Sequence, residues 1–361
     1  AFYIILKTLS QLQERTEVVL PAYTAPSLIL PIKKAGLEAV LCDVECETFM
    51  FDYRQLEKVI NKNTLCVVPV HSFGLACDIP RVFEIVKDSG ALIIEDVASA
   101  LGTRFYGYPL GSLGDINFFS FNRGKNLSTG TGGAITTRWP KYAELITPEL
   151  KNLSVTLSNI FLNMLKVLAL SFAVKPTIYS IFYDFISRFK YTQLHTDFEM
   201  ARYTRFQCGV GVSLFRRIEE INEKRYENGM LLYKQLQNLR GIILPRILPR
   251  SYTVFNQFPV LIEDAEKRAH LQRRLMEAGI EATLLYPEPI HAIYRVKNSK
   301  ADEDAFPQAT FISKHLLLIP THPMMPERLL QTAVAIFQEE FTRVGTFVTV
   351  SENPIASHVA V

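Results

Sequence analysis

The sequence predicts an α/β fold: a large domain with a mostly parallel sheet flanked by helices, followed by a smaller C-terminal α/β domain. Three observations carry that reading. Strand-like apolar runs alternate with helical patterns through the first third of the 361-residue chain, the repetition that builds βαβ units. The apolar run Ala91, Leu92, Ile93, Ile94 ends in Glu95 and Asp96, acid placed where a buried parallel strand opens into a site. A long helical pattern at 206–239 is followed by a second, shorter alternation of strands and helices.

In chain order, the apolar spacing at 2–9 reads as a helix already under way. Residues 17–20 form a strand, 26–35 a helix opened by Pro26 in its first turn, and 39–44 the next strand. The alternation continues with a helix at 53–61, a strand at 65–70, a helix at 79–87 and the strand at 91–95. Residues 103–111, with Gly107 and Gly111, read as a hairpin, 115–121 as the strand leading to Lys125, and 133–137 as a return to the sheet. The helix at 206–239 turns 210, 214, 218 and 221 inward. Beyond it lie a strand at 254–262, a helix at 265–278 closed by Gly279, a strand at 315–319 and a helix at 326–340. The domains are then 1–238, 239–345 and a loose tail at 346–361.

Composition excludes several classes. The formal net charge of +3 is too mild for nucleic acid, and no basic cluster with interleaved aromatics occurs. Cys42, Cys46, Cys66, Cys77 and Cys208 show no paired spacing, so buried free thiols, a reducing cytoplasmic setting and no metal site are expected.

Chemistry concentrates at 117–134, where an apolar strand delivers Lys125 into a loop of glycines and small hydroxyls. Burial lowers a lysine pKa, so its amine can bind an aldehyde cofactor covalently. An aspartate against a pyridine nitrogen keeps that nitrogen protonated and the ring electron-accepting. Lys125 with Asp96 therefore points to a pyridoxal 5′-phosphate enzyme. Ser120, Ser128 and Thr129, with amides freed by Gly130, Gly132 and Gly133, suit a phosphate. Taken singly, a lysine in a polar loop is far more often solvated than catalytic and Asp96 could simply cap a helix; the order of strand-end acid, then hydroxyl-lysine-glycine loop, favours the catalytic reading.

Pro21-Ala22-Tyr23-Thr24, Glu95-Asp96, Phe119-Ser120-Phe121 before Lys125, and Gly132-Gly133 resemble the signatures of the DegT-type sugar aminotransferases. Gln207, the run at 255–260, Tyr286-Pro287-Glu288-Pro289-Ile290-His291 and Leu318-Ile319-Pro320-Thr321-His322-Pro323 follow in the family's order. The resemblance implies a fold type I pyridoxal phosphate enzyme acting as a homodimer with shared sites. By position it makes Lys125 the cofactor-binding lysine, Asp96 the ring-nitrogen partner and Ser120 a phosphate ligand. Ser99, Tyr23, Asn126 and Arg202 are the further cofactor contacts it implies, Arg202 reaching toward the neighbouring subunit. His291, Tyr286 and His71 fall on the substrate side, although His71 reads as well as a capped loop histidine. The implied reaction is amino transfer from an amino acid, L-glutamate being the family donor, to a nucleotide-linked keto sugar for polysaccharide or glycan biosynthesis.

The chain departs from the pattern in several places. Ala25 replaces the aromatic that stacks on the ring, Ser99 a glutamine, Leu101 a histidine, Thr131 a glutamate and Met200 an asparagine. These motivate an alternative: a catalytically impaired homologue serving as a binding or assembly partner. The family's Gly-Thr turn would lie before Ala1, so an N-terminal truncation is expected, with weaker phosphate binding.

The apolar stretch at 150–190 is the least ordinary part. Its two pieces, at 160–174 and 178–186, are too short or too interrupted to span a bilayer. It is expected either to cover a subunit interface or, through 155–187, to meet the inner face of a membrane. The flanking Lys151, Lys166, Lys175, Arg188 and Lys190 suit both.

Overall fold

The computed structural model describes residues 1–155, 157–173, 197–198, 200–297 and 305–342. Its centre is set by strands that are apolar on both faces. Strand β1 (Glu17–Pro21) sends Val18 and Leu20 into one apolar cluster and Val19 into another, and β2 (Glu38–Cys42) divides Ala39 and Leu41 from Val40 and Cys42 in the same way. Side chains alternate along a strand, so continuous burial requires cover on both faces. Helices α1 (Phe2–Ser10) and α2 (Ile29–Lys34) pack with the first cluster, and α3 (Tyr53–Val59) and α4 (Ile79–Val86) with the second. A short 3-10 turn at Pro26–Leu28 leads into α2, and Asp52 and Asp78 cap α3 and α4 through their side chains.

Strands β3 (Thr64–Val67) and β4 (Leu92–Asp96) extend the sheet. The two-stranded hairpin β5 (Arg104–Phe105) and β6 (Tyr108–Pro109) follows, turned by Tyr106 and Gly107, both at positive φ as a two-residue hairpin turn requires. β7 (Ile116–Ser120) and the antiparallel edge β8 (Gly133–Thr136) complete six strands in the order β2-β1-β3-β4-β7-β8, the first five mutually parallel. β4 and β7 are neighbours with Asp96 opposite Phe118, so Asp96 and the segment after Ser120 emerge at one sheet edge. Among the described residues, Val70 joins only by an isolated bridge to Asp96, because Pro69 interrupts the strand expected to 70.

Helices α5 (Pro140–Lys151) and α6 (Leu157–Ala173) follow. The remainder of the stretch at 150–190, including the second apolar piece at 178–186, lies outside the described residues, as does the tail at 346–361. The single helix expected over 206–239 is two, α7 (Arg205–Phe215) and α8 (Ile218–Leu236). The helical backbone stops at Arg217 (φ −108°, ψ 9°), and Glu219 and Glu220 open α8 where the helix dipole favours acid. The inward face of α8 runs through Ile218, Asn222, Arg225, Leu232 and Leu236, with Ile221 only half-buried.

The second α/β unit holds β9 (Ile242–Ile243), β10 (Ser251–Tyr252), which adds to the hairpin, and β11 (Gln257–Ile262). Then come α9 (Ala265–Glu277), α10 (Ile290–Ile293), α11 (Pro307–His315), β12 (Leu316–Pro320) and α12 (Glu327–Glu340). β12, β11 and β9 form an antiparallel three-stranded sheet. The two-residue strands have no legible sequence signal at their length, whereas α11 carried one, Pro307 in its first turn. Buried Arg225 ties the units together by donating Nη1 to the Asn256 carbonyl at 2.8 Å. No described helix is long and apolar enough to cross a membrane.

Candidate active site

Successive side chains of β4 point to opposite sides, so Glu95 and Asp96 serve different surroundings. Glu95 is fully buried and accepts the Gly111, Leu113 and Gly114 amides at 3.0, 2.8 and 2.6 Å. Its Oε2 also lies 3.0 Å from His71 Nε2. Burial works to raise the Glu95 carboxyl, but His71 and the Gly114 and Gly111 amides outweigh it and hold it below its ordinary value. The Cys77 amide donates to His71 Nδ1 at 3.0 Å, so Nδ1 is the acceptor and Nε2 carries the proton given to Glu95. His71, expected on the substrate side, is fully buried with both ring nitrogens engaged. It braces β4 rather than reaching a substrate.

Asp96 is buried and accepts the Ala98 amide at 2.9 Å. Its carboxyl sits above the ordinary aspartate value because burial penalises the charge, against the opposing pull of Ala98, Lys125 and His71. Lys125, half-buried just beyond β7, donates Nζ to Ser99 Oγ at 3.0 Å. Desolvation lowers its pKa, and the Asp96 charge only partly restores it. Ser99 and Asp96 are therefore both partners of Lys125, one by a hydrogen bond and one by charge.

Tyr23 and Tyr286 form an edge-on pair with centroids 5.8 Å apart, and the Tyr23 hydroxyl donates to the Tyr286 carbonyl at 3.3 Å. Both phenols are pushed above their ordinary range by burial, and the Asp96 charge adds to the effect at Tyr286. Asn126 is buried and donates to the Leu101 carbonyl at 3.0 Å, leaving its Oδ1 without a partner. Ser120 is half-buried, its Oγ accepting the Asn122 amide at 3.4 Å. His291, on α10, stacks obliquely on Phe306 at 5.0 Å, and its pKa is lowered by burial against the nearby Asp43 charge. Arg202 is exposed, its amide bonded to the Ser154 carbonyl at 3.2 Å.

The glycine loop is held from α7. Thr204 and Gln207 form a capping box, and Gln207 Nε2 also donates to the Thr131 carbonyl and hydroxyl at 3.1 and 3.0 Å. The Tyr203 hydroxyl lies 2.6 Å from Thr129 Oγ1, and a Cβ on Gly132 (φ 105°) would overlap the Tyr203 ring. A Cβ on Gly133 would overlap the Phe119 carbonyl. Sequence reasoning missed Tyr203 and the Thr131 contact, although Thr204 three residues before Gln207 is a capping signal. It also missed Asn222, whose side chain fills the space beside Gly102.

A family model described as the DegT/DnrJ/EryC1/StrS aminotransferase family matches residues 1–338. The chain is 27% identical over 309 residues to the dTDP-3-amino-3,4,6-trideoxy-alpha-D-glucose transaminase of Streptomyces venezuelae, covering 85% of this chain and 72% of that one. Among solved structures it is similar to S. venezuelae DesV, with a TM-score of 0.75, 24% identity and coverage of 95% and 84%. It is also similar to the PLP-form of the putative sugar aminotransferase Spr1654 of Streptococcus pneumoniae, with a TM-score of 0.69, 20% identity and coverage of 94% and 86%.

Proposed function

Because the chain belongs to the DegT/DnrJ/EryC1/StrS aminotransferase family, we propose that it uses pyridoxal 5′-phosphate to move an amino group from an amino acid, L-glutamate, to a nucleotide-linked keto sugar. The observation that carries the reading is the grouping of half-buried Lys125 and Ser99 with buried Asp96 where two adjacent parallel strands end. It supplies an amine shifted toward neutrality and a carboxylate beside it.

The residues fit the cofactor. Lys125 would hold its aldehyde, Asp96 its ring nitrogen, and Ser120 with the bare backbone of the glycine loop its phosphate. Asn126 offers a buried Oδ1 with no partner of its own. Tyr23 and Tyr286 provide the aromatic wall that Ala25 does not. When bound, the cofactor supplies an electron sink for the substrate carbon.

The chain's own residues do the rest. Lys125, its pKa lowered by burial, would take the proton from the donor's Cα and deliver it to the carbon that carried the cofactor's aldehyde, and Ser99 would fix the direction of Nζ between those events. Asp96 keeps a proton on the ring nitrogen, and the burial that penalises its lone charge strengthens its attraction to that cation. His291 lies toward the substrate and Arg202 toward a second subunit, in a homodimer with shared sites.

The test is an absorbance spectrum of protein purified with pyridoxal phosphate, before and after L-glutamate, beside Lys125→Ala. A band near the visible edge that moves to the ultraviolet with glutamate, and is absent from the variant, is the expected result. Turnover with a keto-sugar acceptor should fall about 10²–10⁴-fold in the variant. Free cofactor alone in both proteins would overturn the reading and favour a non-catalytic binding partner.

A further inference from the structure

The loop that carries Lys125 has a neck. Phe121 donates its amide to the Gly132 carbonyl at 2.9 Å and accepts the Thr129 amide on its own carbonyl at 3.0 Å, so 122–128 leaves and returns at one point. Tyr203 touches all three neck residues. Its ring centroid lies 6.1 Å from that of Phe121, a Cβ on Gly132 would come within 2.4 Å of the ring, and its hydroxyl is 2.6 Å from Thr129 Oγ1. Thr129 Oγ1 gives its one proton to the Thr131 carbonyl at 2.9 Å. Tyr203 is therefore the donor to Thr129, and Thr129 passes the hold on to Thr131.

The mount of Tyr203 is anchored on both sides. The Arg202 amide before it is bonded to the Ser154 carbonyl at 3.2 Å, and Thr204 after it opens the capping box of α7. The tip of the loop has holds of its own, Lys125 through Ser99 and Asn126 through the Leu101 carbonyl. Tyr203 acts instead at the neck, beside Ser120 and the glycines. We propose that Tyr203 is a positioning residue for the cofactor's phosphate: its hydroxyl, through Thr129, keeps Ser120 and the backbone of 129–133 in the shape that receives the phosphate, and leaves the grip on the aldehyde to the tip. The proposal rests on Lys125 holding the aldehyde and the glycine loop the phosphate.

Titration of the full chain, freed of cofactor, with pyridoxal phosphate and with pyridoxal tests this, because the two share an aldehyde and differ in the phosphate. The readout is the absorbance band of the lysine-bound aldehyde, with Tm recorded beside it. Wild type should bind pyridoxal phosphate more tightly than pyridoxal. Tyr203→Phe keeps the ring and loses the donor, so it should weaken pyridoxal phosphate about fivefold and leave pyridoxal unchanged. Thr129→Val should weaken pyridoxal phosphate at least as much, and Tyr203→Phe should add nothing in that background. Thr129→Ser, which keeps the hydroxyl, should match wild type. An unchanged ratio of the two affinities in Tyr203→Phe overturns the proposal, whether or not Tm falls, and so does a wild type that binds both aldehydes equally. No band in wild type with either aldehyde would remove Lys125 from its assigned role, and the proposal with it.

Discussion

At Asp96 folding and chemistry pull in opposite directions. Burial raises its carboxyl, and a carboxyl raised on folding costs stability as the pH climbs through the raised value, with no cost below the unfolded value near 3.8. Asp96→Asn keeps the acceptor for Ala98 and removes the charge. It should raise the Tm of the cofactor-free protein at neutral pH, a gain that fades by about pH 4, while weakening cofactor binding. Calorimetry across pH with a cofactor titration would show both effects. Glu95 is the contrary case, a buried carboxylate satisfied by three amides and His71. Glu95→Ala leaves those donors orphaned and should cost about 3–5 kcal/mol in urea unfolding. Glu95→Gln, which keeps an acceptor, should cost less. Asp96 was legible because it ends an apolar run, and Lys125 because the next apolar run leads into the loop of glycines and small hydroxyls that holds it. The roles of His71 and Glu95 were not, since the contact spans 24 residues and arises only when β3 and β4 pair.

At the scale of elements, the loop after Lys125 is shaped by a helix that starts more than 70 positions later. Thr204→Ala removes the cap of α7 and should cost about 1 kcal/mol in thermal unfolding. Gln207→Ala removes the same box and also frees Thr131, so it should additionally loosen cofactor binding, measurable by fluorescence titration. Gly133→Ala should be worse than either, because its new Cβ would meet a backbone carbonyl that cannot yield without opening the β7–β8 pair. The alternation of strands and helices was legible from period and punctuation. The break between α7 and α8 was not, because helical periodicity continues across Arg216 and Arg217 and only local backbone angles divide it. The acidic pair Glu219 and Glu220 was the signal present.

For the whole molecule, stability resides in the two-sided sheet. Leu41 is fully exposed to the main core and fully shielded from water, so Leu41→Ala should cost about 2–5 kcal/mol, read from the urea midpoint, with little change in cofactor affinity. The sequence by itself determined the α/β class and the parallel strands implied by βαβ repetition, and it marked a strand-end acid and a loop lysine as the chemical candidates, because periodicity and turn residues are local properties of a chain. Tertiary structure alone decided which strands lie side by side, that His71 serves Glu95, and that Tyr203 and Gln207 grip the glycine loop. Those facts depend on where distant segments meet, and contacts between distant segments leave no period in the sequence.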